Sequence, residues 1–223
     1  MKYIILLISI LLFIFMNTFG FGIIIVPIEY LVTIIHELGH ATAAFLTGGH
    51  VSLVEISPNG GGFTQTSGGV ESVVIMSGYL GSVIFSNLFI FFGFTNYKVS
   101  RVITILLSVF FIYSGIFLFN SMSSTIIQLV YGFFFLIVGW KLYKISNYVL
   151  IILGTLSLID VLMNFNVHPK SDLEQFCKVM GGSFNFWMYS WLIVAILTTS
   201  FNAYLIYKNH HFENLKTKND GNR

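Results

Sequence analysis

Apolar residues follow one another along this chain in runs long enough to cross a lipid bilayer. The runs cover residues 1–16, 21–46, 70–94, 99–119, 122–140, 147–165 and 187–207. About 20 apolar residues in a helix span the hydrocarbon core, and a helix satisfies its own backbone hydrogen bonds in lipid. The pattern therefore predicts an all-α fold, a polytopic transmembrane helical bundle with six or seven spans.

The first two runs each carry a signal about where a helix begins or ends. The first has the positive charge of Lys2 ahead of its apolar stretch, as a signal peptide does, but no clear small-residue cleavage site follows. We interpret it as a retained anchor. The second run contains Pro27 and is followed by Gly48 and Gly49, which is typical of a helix that starts near a proline and stops at glycine.

Three polar stretches interrupt or follow these runs. Residues 50–69, HVSLVEISPNGGGFTQTSGG, contain short β-prone runs on either side of a Pro-Asn-Gly sequence, which predicts a small β-hairpin beside the bundle. Residues 169–183 form a polar connector, and residues 208–223 form a charged tail that we expect to be disordered. We find no internal repeat, so residues 1–207 are predicted to be a single integral membrane domain.

Composition agrees with a protein surrounded by lipid. Hydrophobic residues make up 56% of the chain and charged residues 9%, whereas about 25% of the residues in a soluble domain are charged. The bilayer is therefore an expected partner. The net charge of +2 is scattered over connectors and tail, so nucleic acid is not expected to bind. Cys177 is the single cysteine, which excludes an intramolecular disulfide. Membrane orientation and oligomeric state stay open.

Few ionisable side chains lie inside the apolar runs, and each is costly enough there to suggest a function. They are Glu29, His36, Glu37, His40 and Asp160. His36 and His40 are four residues apart, so both imidazoles lie on one helix face and can share one Zn²⁺ ion. Glu37 lies beside them and can accept a proton from water activated at zinc. With six histidines in the chain, such a triplet is expected by chance only about 0.004 times.

The motif and its surroundings resemble a known family of membrane enzymes. The sequence HELGHATAAFLTGG in an apolar helix, followed by a Gly-rich β-prone stretch, resembles the site-2 protease family of intramembrane zinc metallopeptidases. The segments GGFTQT, SGYLGS, LSLIDVL and SDL are similar to its compact bacterial branch, and the resemblance covers residues 30–175. It implies a location in the bacterial cell membrane, with His36 and His40 as zinc ligands and Glu37 as catalytic base.

The third zinc ligand is harder to place. The family uses an Asp in an Asp-Gly pair on a later helix, but the only such pair here begins at Asp220 in the tail. Asp172 lies in the polar connector, where a helix N-cap or a solvated acid is the usual reading. Asp160 lies in an apolar run, eight residues before His168 and therefore about 12 Å from that run's end. His40 is at the same depth in its own run, so Asp160 is the predicted ligand and Asp172 the alternative.

These features together predict a zinc metalloendopeptidase that hydrolyses peptide bonds of membrane-embedded protein substrates. Three protein ligands plus water are typical of catalytic zinc, and a purely structural zinc would not need Glu37. The hairpin suggests that an unwound substrate binds by β-augmentation, although no substrate-binding residue is identified. The alternatives are a non-proteolytic membrane protein with a structural or transported metal, and a scaffold or transporter with a decayed site.

Overall fold

A computed structural model of the chain describes residues 1–19, 22–57, 59–118, 121–163 and 172–220, and helices dominate it. The helices are α1 (Lys2–Thr18), α2 (Gly22–Leu46), α3 (Glu71–Phe94), α4 (Tyr97–Phe117), α5 (Met122–Trp140), α6 (Ser146–Met163), α7 (Asp172–Met180) and α8 (Phe184–Asp220). A short 3₁₀ turn, Tyr143–Ile145, precedes α6, and the two strands are β1 (His50–Ile56) and β2 (Gly62–Ser67).

Five helices in the described part of the chain are long and apolar enough to cross a membrane. They are α3, α4, α5, α6 together with the 3₁₀ turn before it, and α8 as far as Asn209. The shorter apolar α1 and the 25-residue α2 bring the number of apolar helices to seven. The predicted all-α membrane bundle is therefore confirmed, and the five candidate spans roughly match the predicted six or seven.

Helix α3 lies at the centre of the bundle and packs against α2, α6, α7 and α8. Glycines allow these close approaches, as is common where membrane helices meet. A Cβ at Gly154 of α6 would lie 2.7 Å from the carbonyl oxygen of Ser86 in α3. Gly93 of α3 similarly faces the backbone of α6. Helices α4 and α5 form a second, tightly packed pair.

Helix α1 packs as a member of the bundle. Its Phe13 side chain is buried with Ile28 of α2 and Leu156 of α6. The ammonium group of Lys2 donates hydrogen bonds to the carbonyl oxygens of Phe94 and Thr95, at 2.9 and 2.5 Å. These carbonyls are at the C-terminal end of α3, where a cation is favourable.

The predicted hairpin is present and is held firmly against the bundle. Strands β1 and β2 pair antiparallel, with Val54 opposite Thr64 and Ile56 opposite Gly62. Val54 and Ile56 are completely buried in the cluster that also contains residues of α2 and α5. The Ile56 amide donates to the Ser124 hydroxyl of α5 at 2.7 Å, and that hydroxyl donates back to the Ile56 carbonyl. The hairpin therefore has a fixed position relative to α2 and α5.

The structure differs from the sequence-based expectation at two polar stretches. The connector 169–183 contains a helix, α7, which is too short to span a membrane. The last span continues as helix to Asp220, through most of the tail for which disorder is predicted. The spanning helix can be extended in this way because nucleating a new helix is unfavourable in free energy, whereas each residue added to an existing helix gains a hydrogen bond.

Candidate metal centre

The two histidines of the motif meet on one face of α2. His36 Nε2 and His40 Nε2 are 3.1 Å apart. The Nδ1 atom of His40 lies 2.7 Å from the carbonyl oxygen of Val74 in α3. A carbonyl can only accept a hydrogen bond, so Nδ1 carries a proton, and whenever the ring is neutral Nε2 has a lone pair available for a metal ion. Such a partner on the far ring nitrogen is the usual support of a metal-binding histidine.

Asp172, the first residue of α7, completes this group. Its Oδ2 atom is 2.9 Å from His36 Nε2 and 3.2 Å from His40 Nε2. Among the described residues, His36, His40 and Asp172 are the set whose ligand atoms converge in this way. Burial alone would raise the pKa of Asp172, but the adjoining imidazoles outweigh burial and hold the pKa below its usual range. The carboxyl group is therefore ionised, as a metal ligand must be.

The donor set fits zinc in both chemistry and spacing. Two imidazoles and one carboxylate are a common ligand set of catalytic zinc. Ligand atoms about 2.0–2.1 Å from a tetrahedral ion lie about 3.3–3.4 Å from one another, which is close to the spacing of these three atoms. Asp172 Oδ2 is also buried, and apart from its close contacts with the two imidazoles it has no hydrogen-bond partner in the described parts of the chain. A cation among these three acceptors would satisfy that oxygen.

Asp160, the ligand favoured by the depth argument, lies outside the group of three. It is buried in α6 and lines the same cavity as His36 and Glu37. The sequence places Asp172 in a polar connector, where a helix N-cap or a solvated acid is the usual interpretation, whereas α7 packs on the bundle and brings Asp172 to the histidines. The candidate third ligand is thus Asp172. His168, the reference point of the depth argument, falls outside the described residues.

Glu37 is buried and held by the hairpin. Its Oε2 atom accepts a hydrogen bond from the Thr64 hydroxyl at 2.5 Å. On the other side, a Cβ added at Gly62 would lie 2.5 Å from Oε1 and 2.6 Å from Cγ of Glu37. The turn is also tied to α2, since the Thr33 hydroxyl donates to the Gly60 carbonyl at 2.7 Å. Strand β2 therefore fixes the carboxylate beside the two imidazoles.

Helix α3 approaches the site through glycines of the segment SGYLGS. A Cβ at Gly78 would lie 2.5 Å from His40 Nε2 and 2.6 Å from His36 Nε2. Gly39, inside the motif itself, similarly faces the backbone of Ser77. The Tyr79 ring lies edge-on to the His36 ring, with centroids 4.9 Å apart. Only a residue without a side chain at position 78 leaves room for the imidazoles.

Two cavities flank the metal group. The larger, of about 570 Å³, is lined by Glu29, Val32, Thr33, His36, Glu37, residues 59–62, Tyr79, Asp160, Val161 and Asp172. The smaller, of about 250 Å³, is lined by Glu37, His40, residues 62–64, Thr66, Val74, Ile75, Asp172 and Gln175. Glu37, Gly62 and Asp172 border both cavities, so β2 runs past the metal group from one cavity to the other.

Three contributors to the site carry only weak signals in the sequence. Asp172 had a weak signal in the similarity of SDL to the bacterial branch of the family. Thr64 lies in GGFTQT, where alternating residues of a strand point to the same side, but nothing in that pattern names its partner. Gly78 has a signal in its spacing of four residues from Ser82, because two small residues at this spacing are typical of closely packed membrane helices.

Comparison with known proteins assigns the chain to a family. The family model described as Peptidase M50B-like matches residues 4–201, most of the chain. No curated protein and no solved structure gave a significant match. The match confirms the resemblance to site-2 proteases, and with the apolar helices it supports a multi-pass membrane protease. The chain therefore belongs to the Peptidase M50B-like family, within the site-2 proteases, and is an integral membrane protein.

Proposed function

We propose that this protein is an intramembrane zinc metalloprotease that hydrolyses peptide bonds of membrane-embedded protein substrates. His36, His40 and Asp172 would hold the zinc ion, and Glu37 would act as general base. The observation that carries this proposal is the convergence of two imidazole Nε2 atoms and one carboxylate oxygen next to a buried glutamate. Membership of a peptidase family supports the choice of reaction.

Zinc bound at these residues would supply a Lewis acid that makes water more acidic and polarises the peptide carbonyl. Glu37 performs the proton transfers. Its carboxylate accepts a proton from the attacking water as the C–O bond forms, and gives that proton to the amide nitrogen as the C–N bond breaks. The products are a new carboxyl group and a new amino group, so all atoms of the water molecule are accounted for. His40 is kept in the correct tautomer by the Val74 carbonyl.

The hairpin supports a hypothesis for substrate binding. A helical peptide hides its carbonyl groups in internal hydrogen bonds, so the scissile segment must unwind before hydrolysis. Strand β2 pairs with β1 along one edge, and no other described strand pairs with it. It also borders both cavities next to Glu37. We expect an unwound segment to pair with β2 and place its carbonyl near the metal, as in other cases of strand addition.

Glu37→Gln tests this function, because the amide keeps the shape of the side chain and removes the base. General-base catalysis typically contributes about 10²–10⁴ in rate. We expect the variant to keep about one zinc per chain, by metal analysis, and to lose at least about 100-fold in cleavage of single-span peptides in lipid vesicles. The control is Glu71→Gln, an exposed glutamate in the first turn of α3. Equal cleavage by wild type and Glu37→Gln, with zinc retained, would exclude Glu37 as the base.

A further inference from the structure

The Thr64 side chain links the hairpin to the catalytic carboxylate. Its hydroxyl donates to Glu37 Oε2 at 2.5 Å and also lies 3.2 Å from the carbonyl oxygen of Glu37. The neighbours Phe63 and Gln65 are exposed, whereas Thr64 is partly buried. Strand alternation therefore turns Thr64 toward α2. Among the described side chains, Thr64 is the one that donates a hydrogen bond to this carboxylate.

This contact rests on a rigid support. Thr64 is opposite Val54, which is fully buried, and the strand pair is bonded to Ser124 of α5 through Ile56. Gly62, two residues before Thr64, packs against the other carboxylate oxygen. The hairpin thus contacts both oxygens of Glu37, one by a hydrogen bond and one by close packing.

A glutamate needs such support to act as a base. Its side chain has three rotatable bonds, and a carboxylate that rotates away from the attacking water loses much of its effect. A charged hydrogen-bond acceptor makes a stronger bond than a neutral one, so the hydroxyl of Thr64 holds Glu37 more firmly than packing alone.

We propose that Thr64 is a positioning residue, whose hydroxyl orients the Glu37 carboxylate for proton transfer. This inference rests on the function proposed above, since it gives Thr64 a role only if Glu37 is the base. The hydrogen bonds of the Thr64 hydroxyl go to Glu37, so Thr64 would act through Glu37. The strand that we expect to bind substrate would then also set the orientation of the base.

The test uses three variants of the full chain in lipid vesicles. Thr64→Val removes the hydroxyl and keeps the branched shape that suits a strand. Thr64→Ser keeps the hydroxyl. Ser52→Ala is the control, because it removes an exposed hydroxyl that donates across the same hairpin to the Gln65 carbonyl at 3.1 Å. The probes are single-span peptides that carry a fluorophore at one end, and zinc content is measured for every variant.

We expect Thr64→Val to lower kcat by about 10- to 100-fold, the usual effect of losing a partner that orients a site residue. KM should change by less than about twofold, because ground-state binding is unaffected. Zinc content should stay at that of the wild type, and Thr64→Ser should recover kcat to within about threefold. Loss of zinc in Thr64→Val, failure of Thr64→Ser to recover kcat, or an equal decrease in Ser52→Ala would each assign Thr64 a structural role instead.

An infrared measurement tests the contact without any substrate. The difference spectrum between wild type and Thr64→Val should contain a carboxylate stretch that is absent when the same pair is compared in the Glu37→Gln background. Identical difference spectra in both backgrounds would overturn the proposal.

The proposed function and the proposed role of Thr64 can be told apart by their results. Equal activity of wild type and Glu37→Gln would exclude the proposed function, and the role of Thr64 with it. Loss of activity in Glu37→Gln with an unaffected Thr64→Val removes only the role of Thr64.

Discussion

Asp172, which is partly buried, and Asp160, which is buried, both border the cavity that contains His36, and substitution distinguishes their roles. Asp172 Oδ2 lies within 3.2 Å of both Nε2 atoms, whereas Asp160 lies outside that group. A residue that only hydrogen-bonds to a metal ligand typically contributes about 10- to 100-fold to metal affinity. A residue that binds the metal directly should contribute more. We expect Asp172→Asn to weaken zinc binding by more than about 100-fold, and Asp160→Asn to bind zinc like the wild type.

Competition with a zinc-sensitive dye measures both affinities in the purified protein. Asp160→Asn is the matched control, since it makes the same chemical change in a buried aspartate of the same cavity. Weaker zinc binding in Asp160→Asn alone would return the third-ligand position to α6.

The residues within one helix turn could be read from the sequence, and the distant ones could not. His36, Glu37 and His40 are neighbours on a helix whatever the rest of the chain does, so their spacing was sufficient evidence. Asp172 reaches them only because a short helix folds back onto the bundle. That fold depends on contacts among α3, α7 and α8, which no local pattern in the sequence records.

Among the individual elements, α7 determines the position of the candidate third ligand, because Asp172 is its first residue. Leu173 and Phe176 of α7 are buried against Ile75 and Trp191, and the Phe176 and Trp191 rings meet edge-on at 5.1 Å. Trp191→Ala should leave a cavity beneath α7 and weaken its docking. Because Asp172 moves with α7, we expect zinc affinity to fall by about 10-fold, although Trp191 does not belong to the metal group.

Trp140→Ala is the matched control for this prediction. Trp140, at the end of α5, is 67% exposed and belongs to none of the buried clusters. Zinc affinity and thermal stability should both stay near those of the wild type. If Trp191→Ala lowered thermal stability without changing zinc affinity, the position of Asp172 would be independent of this aromatic contact.

The elements differed in how well the sequence predicted them. Long apolar runs define spanning helices almost by length alone, and the Pro-Asn-Gly turn between β-prone runs predicted the hairpin. Helix α7 was missed because nine residues with charged Asp172, Glu174 and Lys178 look like a connector. Its two buried residues, Leu173 and Phe176, become informative only once the surface that buries them is known.

Across the whole molecule, a zinc ion at this site would link two elements that are far apart in the sequence, α2 and α7. His36 and His40 belong to α2, whereas Asp172 begins α7, which packs against α3 and α8. A ligand present at about 100 times its dissociation constant favours the bound state by about 100-fold. We therefore expect a chelator to raise amide hydrogen exchange in residues 172–180 by up to about 100-fold.

Exchange in α5 provides the internal reference, because α5 packs with α4 and contributes nothing to the metal group. Mass spectrometry of the protein in lipid nanodiscs would compare the two segments in one sample. A uniform increase over both segments would indicate global loosening instead of release of α7, and no change at all would show that α7 docks without the metal.

Composition and hydropathy predicted the whole molecule as a membrane bundle, because too few charged residues exist to cover a soluble surface. The arrangement of helices within the bundle was not predictable in the same way. Lipid-facing and helix-facing positions are both apolar, so hydropathy does not reveal that α3 is central. The relevant signals are small residues such as Gly78, Gly93 and Gly154, whose partners lie on other helices.

The long separation along the chain between the HELGH helix and Asp172 also has a consequence for biosynthesis. A nascent chain inserts α2 and the hairpin early, and helices α3 to α6 must be translated before α7 leaves the ribosome. Until then the two histidines and Glu37 are in the membrane without their third partner. The order of synthesis would thus postpone assembly of the proposed metal group until α7 has been made, because a growing chain would lack one of the three candidate ligands.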